Sequence, residues 1–153
     1  MDADKKNLPR EPLGRITGRI SRMFFGTLQK RLSHLDIQRS FYPLLLIDAG
    51  EGKLTQQELA NELLSDKVQI VRIVDYLSTN GYVERVQNQK DRREYNLTIT
   101  DKGRKAIPDI KDTIQELSGI AYNGLSPKQI KELYSMLSLI ETNLLYHNNN
   151  STL

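Results

Sequence analysis

The stretch that decides the fold is NQKDRREYNLTITDKG, residues 88–103. It opens on a polar, cationic tip, alternates apolar and polar residues through Tyr95, Leu97 and Ile99, and closes on Thr-Asp-Lys-Gly. Alternation with a period of two predicts a strand with one buried face. Thr100 or Asp101 is a suitable N-cap for a following helix. Just upstream, Tyr82 to Gln87 is a second β-prone run, and everything from Asn88 to Arg93 is polar. Two such runs around a polar connection read as a hairpin with a loop longer than the tightest turns. Its tip carries Lys90, Arg92 and Arg93. Asp91, set among them, has the wrong sign for a polyanion. It is expected to accept hydrogen bonds from the loop backbone or to hold an arginine in place.

Upstream of the hairpin, Thr55-Gln56-Gln57-Glu58 forms a capping box, which starts a short helix through Leu59, Ala60 and Leu63. Ser65 and Asp66 offer a second N-cap. A longer helix is predicted from Lys67 to Asn80, with Val68, Val71, Val74 and Leu77 (also Ile70 and Ile73) on its apolar side, and Gly81 stops it. Short helix, tight turn, longer helix and hairpin together make a helix-turn-helix followed by a two-stranded wing. In that arrangement the second helix enters the DNA major groove, which is about 12 Å wide and admits one helix. Lys67, Gln69 and Arg72 are its polar positions near the N-terminus, where base edges would be met. An ordinary solvated helix face carries similar residues, and the basic wing favours DNA over that reading. The wing reaches the neighbouring minor groove, whose narrow A·T tracts attract arginine.

The charge distribution agrees. The net charge of +3 is mild, yet residues 35–66 hold 2 basic and 6 acidic residues whereas residues 67–93 hold 6 basic and 3 acidic. A local basic cluster is better evidence for a phosphate partner than the total is.

Outside this segment the pattern is helical. Leu13, Ile16, Ile20, Phe24, Leu28, Leu32 and Leu35 give one helix over residues 13–35, with Arg15, Arg19 and Arg22 on another face. Residues 37–49 give a more buried helix in which Pro43 introduces a kink or delays the start. Ile107, Ile110, Ile114, Leu117 and Ala121 mark a third, bent at Pro108, and Ser126-Pro127 opens a last helix carrying Ile130, Leu133, Leu137, Ile140 and Leu144.

From Leu54 to Gly103 the sequence resembles the MarR family of winged-helix transcriptional regulators. The matching pieces are LTQQELANELLSDK, VRIVDYLSTNGYVERV and DRREYNLTITDKG, the last similar to the family's Asp-x-Arg wing signature with its Thr-x-x-Gly helix start. The resemblance implies DNA contacts from Ser65, Lys67, Gln69 and Arg72 and from the wing residues Lys90, Arg92 and Arg93. It makes Asp91 the wing organiser and Asp75 a structural acid. Val68 and Val71 depart from the pattern, since hydroxyl residues are common there. Pro43 is also unusual.

The expected architecture is mainly α with a small β-hairpin wing. Residues 1–36 form an N-terminal arm and dimerisation helix, 37–100 the winged helix-turn-helix, 101–147 two further dimerisation helices, and 148–153 a disordered tail. The outer helices carry more apolar stripe than a small winged helix covers, so a homodimer is expected. The expected function is sequence-specific regulation of transcription on a pseudo-palindromic double-stranded DNA operator. It would act as a repressor, with DNA binding open to modulation by a small molecule. The alternative is a winged-helix module for protein interaction or dimerisation. Phe24, Phe41 and Tyr42 are candidates for an effector cleft, although core packing is the favoured role.

The absence of cysteine excludes disulfides and thiolate chemistry. His34 and His147 show no metal-ligand spacing, and no catalytic or nucleotide-binding motif is present, so neither an enzyme nor a cofactor is expected. The polar start, Met1 to Lys6, and the short aliphatic run Leu44 to Ile47 lead to a cytoplasmic expectation without a membrane span.

Overall fold

Among the described residues, eight elements follow the expected order. The helices are α1 (Leu13–Arg31), α2 (Phe41–Ala49), α3 (Gln56–Glu62), α4 (Lys67–Thr79), α5 (Asp101–Ala121) and α6 (Pro127–Asn150); strands β1 (Val83–Gln87) and β2 (Tyr95–Ile99) lie between α4 and α5. The structure, a computed structural model, describes residues 11–150. The chain divides into two compact units between Gln115 and Glu116.

In the first unit, local chemistry fixes each boundary. Leu32 closes α1 by donating its N–H to Leu28, so the helix ends earlier than the apolar spacing through Leu35 implies. The connecting turns keep Leu32 and Ile37 buried, and Asp36 N–H donates to the Tyr82 hydroxyl at 3.2 Å. Pro43 sits in the first turn of α2, where helix N–H groups have no intrahelical partner. It therefore delays the helix start rather than breaking the helix. Thr55 and Glu58 form the reciprocal capping box of α3. Thr100, not Asp101, caps α5: its hydroxyl accepts from Gly103 N–H at 3.1 Å and donates to the Gly81 carbonyl at 2.6 Å. The helix then continues past Pro108.

The two strands pair antiparallel, from Val83 opposite Ile99 to Gln87 opposite Tyr95. Leu97 N–H also donates to the Leu54 carbonyl at 2.8 Å, and Thr55 bridges Asn96, so the segment entering α3 is stitched to β2. The core joins Phe41, Leu44 and Ile47 of α2 with Leu59 of α3, Ile70, Val74 and Leu77 of α4, Leu97 of β2 and Ile110 of α5, all 1% exposed or less. Burying each such side chain contributes about 1.5–3 kcal/mol.

In the second unit, Ser126 caps α6, and Gln129 returns the contact to Ser126 N–H at 2.8 Å. The hydroxyls of Tyr122 and Tyr134 are hydrogen-bonded to each other. The helix runs through residues 148–150, where the sequence suggests a disordered tail; residues 151–153, and residues 1–10 of the expected N-terminal arm, lie outside the described residues. No side chain of α6 is buried.

Gly103 explains the Thr-x-x-Gly pattern. A Cβ there would collide with the Tyr82 carbonyl oxygen and come within 2.6 Å of Ile99 Cγ1. The first turn of α5 thus rests directly on the backbone entering β1. Gly103→Ala should destabilise the fold by about 1–3 kcal/mol, the usual range for overpacking. Urea unfolding measures it, and an unchanged midpoint would contradict the close approach.

Candidate nucleic-acid interface

The turn from α3 to α4 sets up the candidate reading helix. Leu64 N–H donates to the Asn61 carbonyl and Ser65 N–H to the Ala60 carbonyl, at 3.2 and 3.0 Å. This is the double bond of a Schellman motif, with Leu64 in the left-handed region at φ 48° where glycine is usual. Asp66 is the N-cap, accepting from Gln69 N–H at 2.8 Å. Ser65 does not cap; its hydroxyl donates to Gln69 Oε1 at 2.7 Å. The Gln69 side chain is thereby oriented before any partner arrives.

The apolar side of α4 differs from the sequence expectation. Ile70, Val74 and Leu77 are buried, whereas Val68 is 62% exposed. The spacing i, i+4, i+7 faces the core, and Val68 lies two residues, about 200° of turn, from Ile70. Six aliphatic residues gave two overlapping stripes, and only one of them meets the core. Lys67, Val68, Gln69 and Arg72 are all exposed at the start of α4.

The loop joining the strands is tied internally. Asn88 Oδ1 accepts from the N–H groups of Lys90 and Asp91 at 2.8 and 3.3 Å, and its amide donates to Asn96 Oδ1. Gln87 donates to the Arg92 carbonyl at 2.9 Å. Asp91 accepts three times from Arg93: from its backbone N–H, from Nε and from Nη2, at 3.0 to 3.1 Å. The hydrogen bond from the Arg93 side chain, then that from its N–H, hold the Asp91 carboxyl below its ordinary value. The same pairing raises the Arg93 guanidinium. Arg93 keeps 90% of its side chain exposed. Lys90 and Arg92 are exposed, and neither they nor Lys67 or Arg72 form an ion pair among the described residues.

Arg85 joins the parts. From β1 it donates through Nε to Gln56 Oε1 at 2.5 Å and through Nη2 to Asp75 Oδ1 at 2.6 Å. One guanidinium therefore links the wing to α3 and to α4, and Asp75 has a structural partner. Between these elements lies a cavity of about 200 Å³ bordered by Gln57, Lys67, Arg93 and Tyr95. Sequence reading missed Arg85, because its partners are 10 and 29 residues away. It also missed Asn88, although an Asn opening a polar loop is an Asx-turn signal.

The remaining candidates fall elsewhere. Phe41 is core at 1% exposure, Phe24 is half-buried with its ring edge-on to Phe25, and Tyr42 is 52% exposed. His34 pairs with Asp109 at 2.6 Å, and His147 lies in α6. No group of acidic, histidine or cysteine residues suited to a metal occurs among the described residues, and no described helix is long and apolar enough to cross a membrane.

This combination of helix-turn-helix, capped second helix and tethered basic hairpin defines a winged helix-turn-helix protein. The MarR family pattern matches residues 39–94. The HTH-type transcriptional regulator BilQ of Clostridioides difficile (strain CD3) is 27% identical over 138 residues, covering 90% of this chain and 93% of that relative. Among solved structures, a MarR protein from Peptoclostridium difficile superposes with a TM-score of 0.81 at 25% identity, over 91% of this chain and 90% of the other. A mutant MarR from E. coli, complexed with operator DNA, gives 0.76 at 27% identity, over 84% and 93%. Residues 39–94 thus carry the MarR family pattern, and over most of its length the chain is similar to transcriptional regulators rather than to enzymes.

The tether makes the wing sensitive to Asp91. Asp91→Ala should speed amide exchange at Arg93 by releasing its N–H, and unchanged exchange would refute the tether. Because the folded carboxyl is depressed, the contribution is present above about pH 4 and is lost only as pH falls through the lowered value. Exchange at Arg93, corrected for the intrinsic pH dependence, should therefore stay level from pH 8 to pH 5.

Proposed function

We propose that this protein binds double-stranded DNA sequence-specifically as a cytoplasmic homodimer and represses transcription from a pseudo-palindromic operator. The observation that carries the reading is a set of exposed cations without ion pairs among the described residues, Lys67 and Arg72 on α4 and Lys90 and Arg92 on the wing. Leaving four cations unpartnered around one helix end and one hairpin tip costs self-repulsion. A phosphate backbone offsets it and releases counterions. The E. coli relative complexed with operator DNA supports the same partner. In this reading Ser65, Gln69 and Arg72 face base edges in the major groove, Lys67 a phosphate, and Lys90, Arg92 and Arg93 the adjacent minor groove, with Asp91 holding Arg93 in pose.

The dimer rests on the outer helices. Residues 1–36 and 101–147 supply the association surface in this proposal. Ile20, Met136, Leu139 and Leu144 are each more than half exposed in the single chain. A long helix with many apolar residues and no buried side chain needs a partner. A small molecule that binds one dimer arrangement better than another would shift DNA affinity by that difference alone.

Fluorescence titration of DNA at increasing salt tests the core of the proposal. Affinity should fall steeply with salt, and Lys67→Ala should flatten the log–log slope by about one unit. Salt-independent binding would favour a protein-interaction module instead. In sedimentation equilibrium the chain should run at twice its monomer mass at micromolar concentration. A purely monomeric profile would remove the two-fold operator from the proposal.

A further inference from the structure

We propose that Val68 reads a thymine methyl group in the major groove, which makes it a specificity-determining residue of the DNA-binding face. The inference rests on the DNA-binding reading above and goes beyond it by assigning a base. Val68 is 62% exposed and stands between Lys67 and Gln69, both exposed, at the start of α4. The core is already served by Ile70, Val74 and Leu77 of the same helix. An aliphatic side chain on this face therefore adds little to packing within the chain. It is also a branched residue in the first turn of a helix, where a polar residue would suit water better.

Leu64 supplies a second, independent observation. It is 61% exposed and holds a left-handed backbone, φ 48°, in the turn that leads into α4. Glycine would fill that position without strain. Retaining an exposed leucine there, one turn before Val68, keeps the entry to the reading helix aliphatic as well as cationic.

The only aliphatic group that base pairs present in the major groove is the C5-methyl of thymine. Gln69, steadied through its carbonyl oxygen by Ser65, keeps its amide N–H groups for an acceptor on a neighbouring base edge. The face thus pairs one directional donor with one apolar contact.

Uracil in place of thymine removes only the methyl, leaving the hydrogen-bonding edge unchanged. The test uses a duplex selected by the wild-type protein from a random library, then synthesised with each thymine replaced in turn by uracil. For wild type, one replacement per half-site should weaken binding about four-fold, the free energy of one buried methyl group. Val68→Ala, whose shorter side chain keeps less contact with the methyl, should bind the thymine and uracil duplexes more nearly alike than wild type does, and the uracil duplex within about two-fold of wild type, taking near-neutrality of an exposed substitution as the guide. That match on the uracil duplex also establishes that the variant is folded. Undiminished thymine preference in Val68→Ala, or no thymine preference in wild type, would overturn the assignment while leaving DNA binding in place. Failure of wild type to select any duplex would overturn both.

Discussion

The proposed reading surface depends on Arg85. A wing and a helix grip DNA together more tightly when their spacing is fixed before contact, because each degree of freedom frozen on binding subtracts from affinity. Arg85 fixes that spacing by forking between Gln56 and Asp75, with 27% of its own side chain exposed. The planar guanidinium suits this task because its donors diverge in set directions. Every proposed DNA contact from the wing inherits its position from that fork and from the ladder between β1 and β2.

Magnitudes separate what folds the chain from what aims it. Asp75 is 56% exposed at its side chain, so its pair with Arg85 is screened and is worth about 1 kcal/mol or less in stability. A single fully buried leucine such as Leu59 or Leu97 contributes about 1.5–3 kcal/mol. Loss of the fork should therefore leave the core intact and loosen the outer part of the wing, whose base stays held by buried Leu97 and its bond to Leu54. Asp91 works at a smaller scale still, ordering the loop tip through Arg93. The proposed DNA-binding surface is built from weak, exposed contacts carried on a strong, buried frame.

Features set by neighbouring residues were legible in the sequence. The capping box at Thr55, the stop at Gly81, the alternation ending in Leu97 and Ile99, and the start of α5 each depend on residues within a few positions. Resemblance to the MarR family added the roles proposed for the wing and for α4. What escaped was set at longer range or by competition. The Arg85 fork and the stitch from Leu54 to β2 join residues distant in the chain. On α4, six aliphatic residues fit two stripes, and only the packed core decides that Val68 faces solvent. The end of α1 was blurred because Leu32 remains buried just beyond the helix, so the apolar rhythm outlasts the hydrogen bonding.

The central claim is that α4 and the wing form one preset surface for DNA. Amide exchange with and without a bound duplex, on wild type and Arg85→Leu, tests it most directly. Wild type should gain protection at residues 64–72 and 88–94 together. Arg85→Leu, still folded, should keep the protection at 64–72 and lose most of that at 88–94. Equal protection of both segments in the two proteins, or none in wild type, would contradict the account.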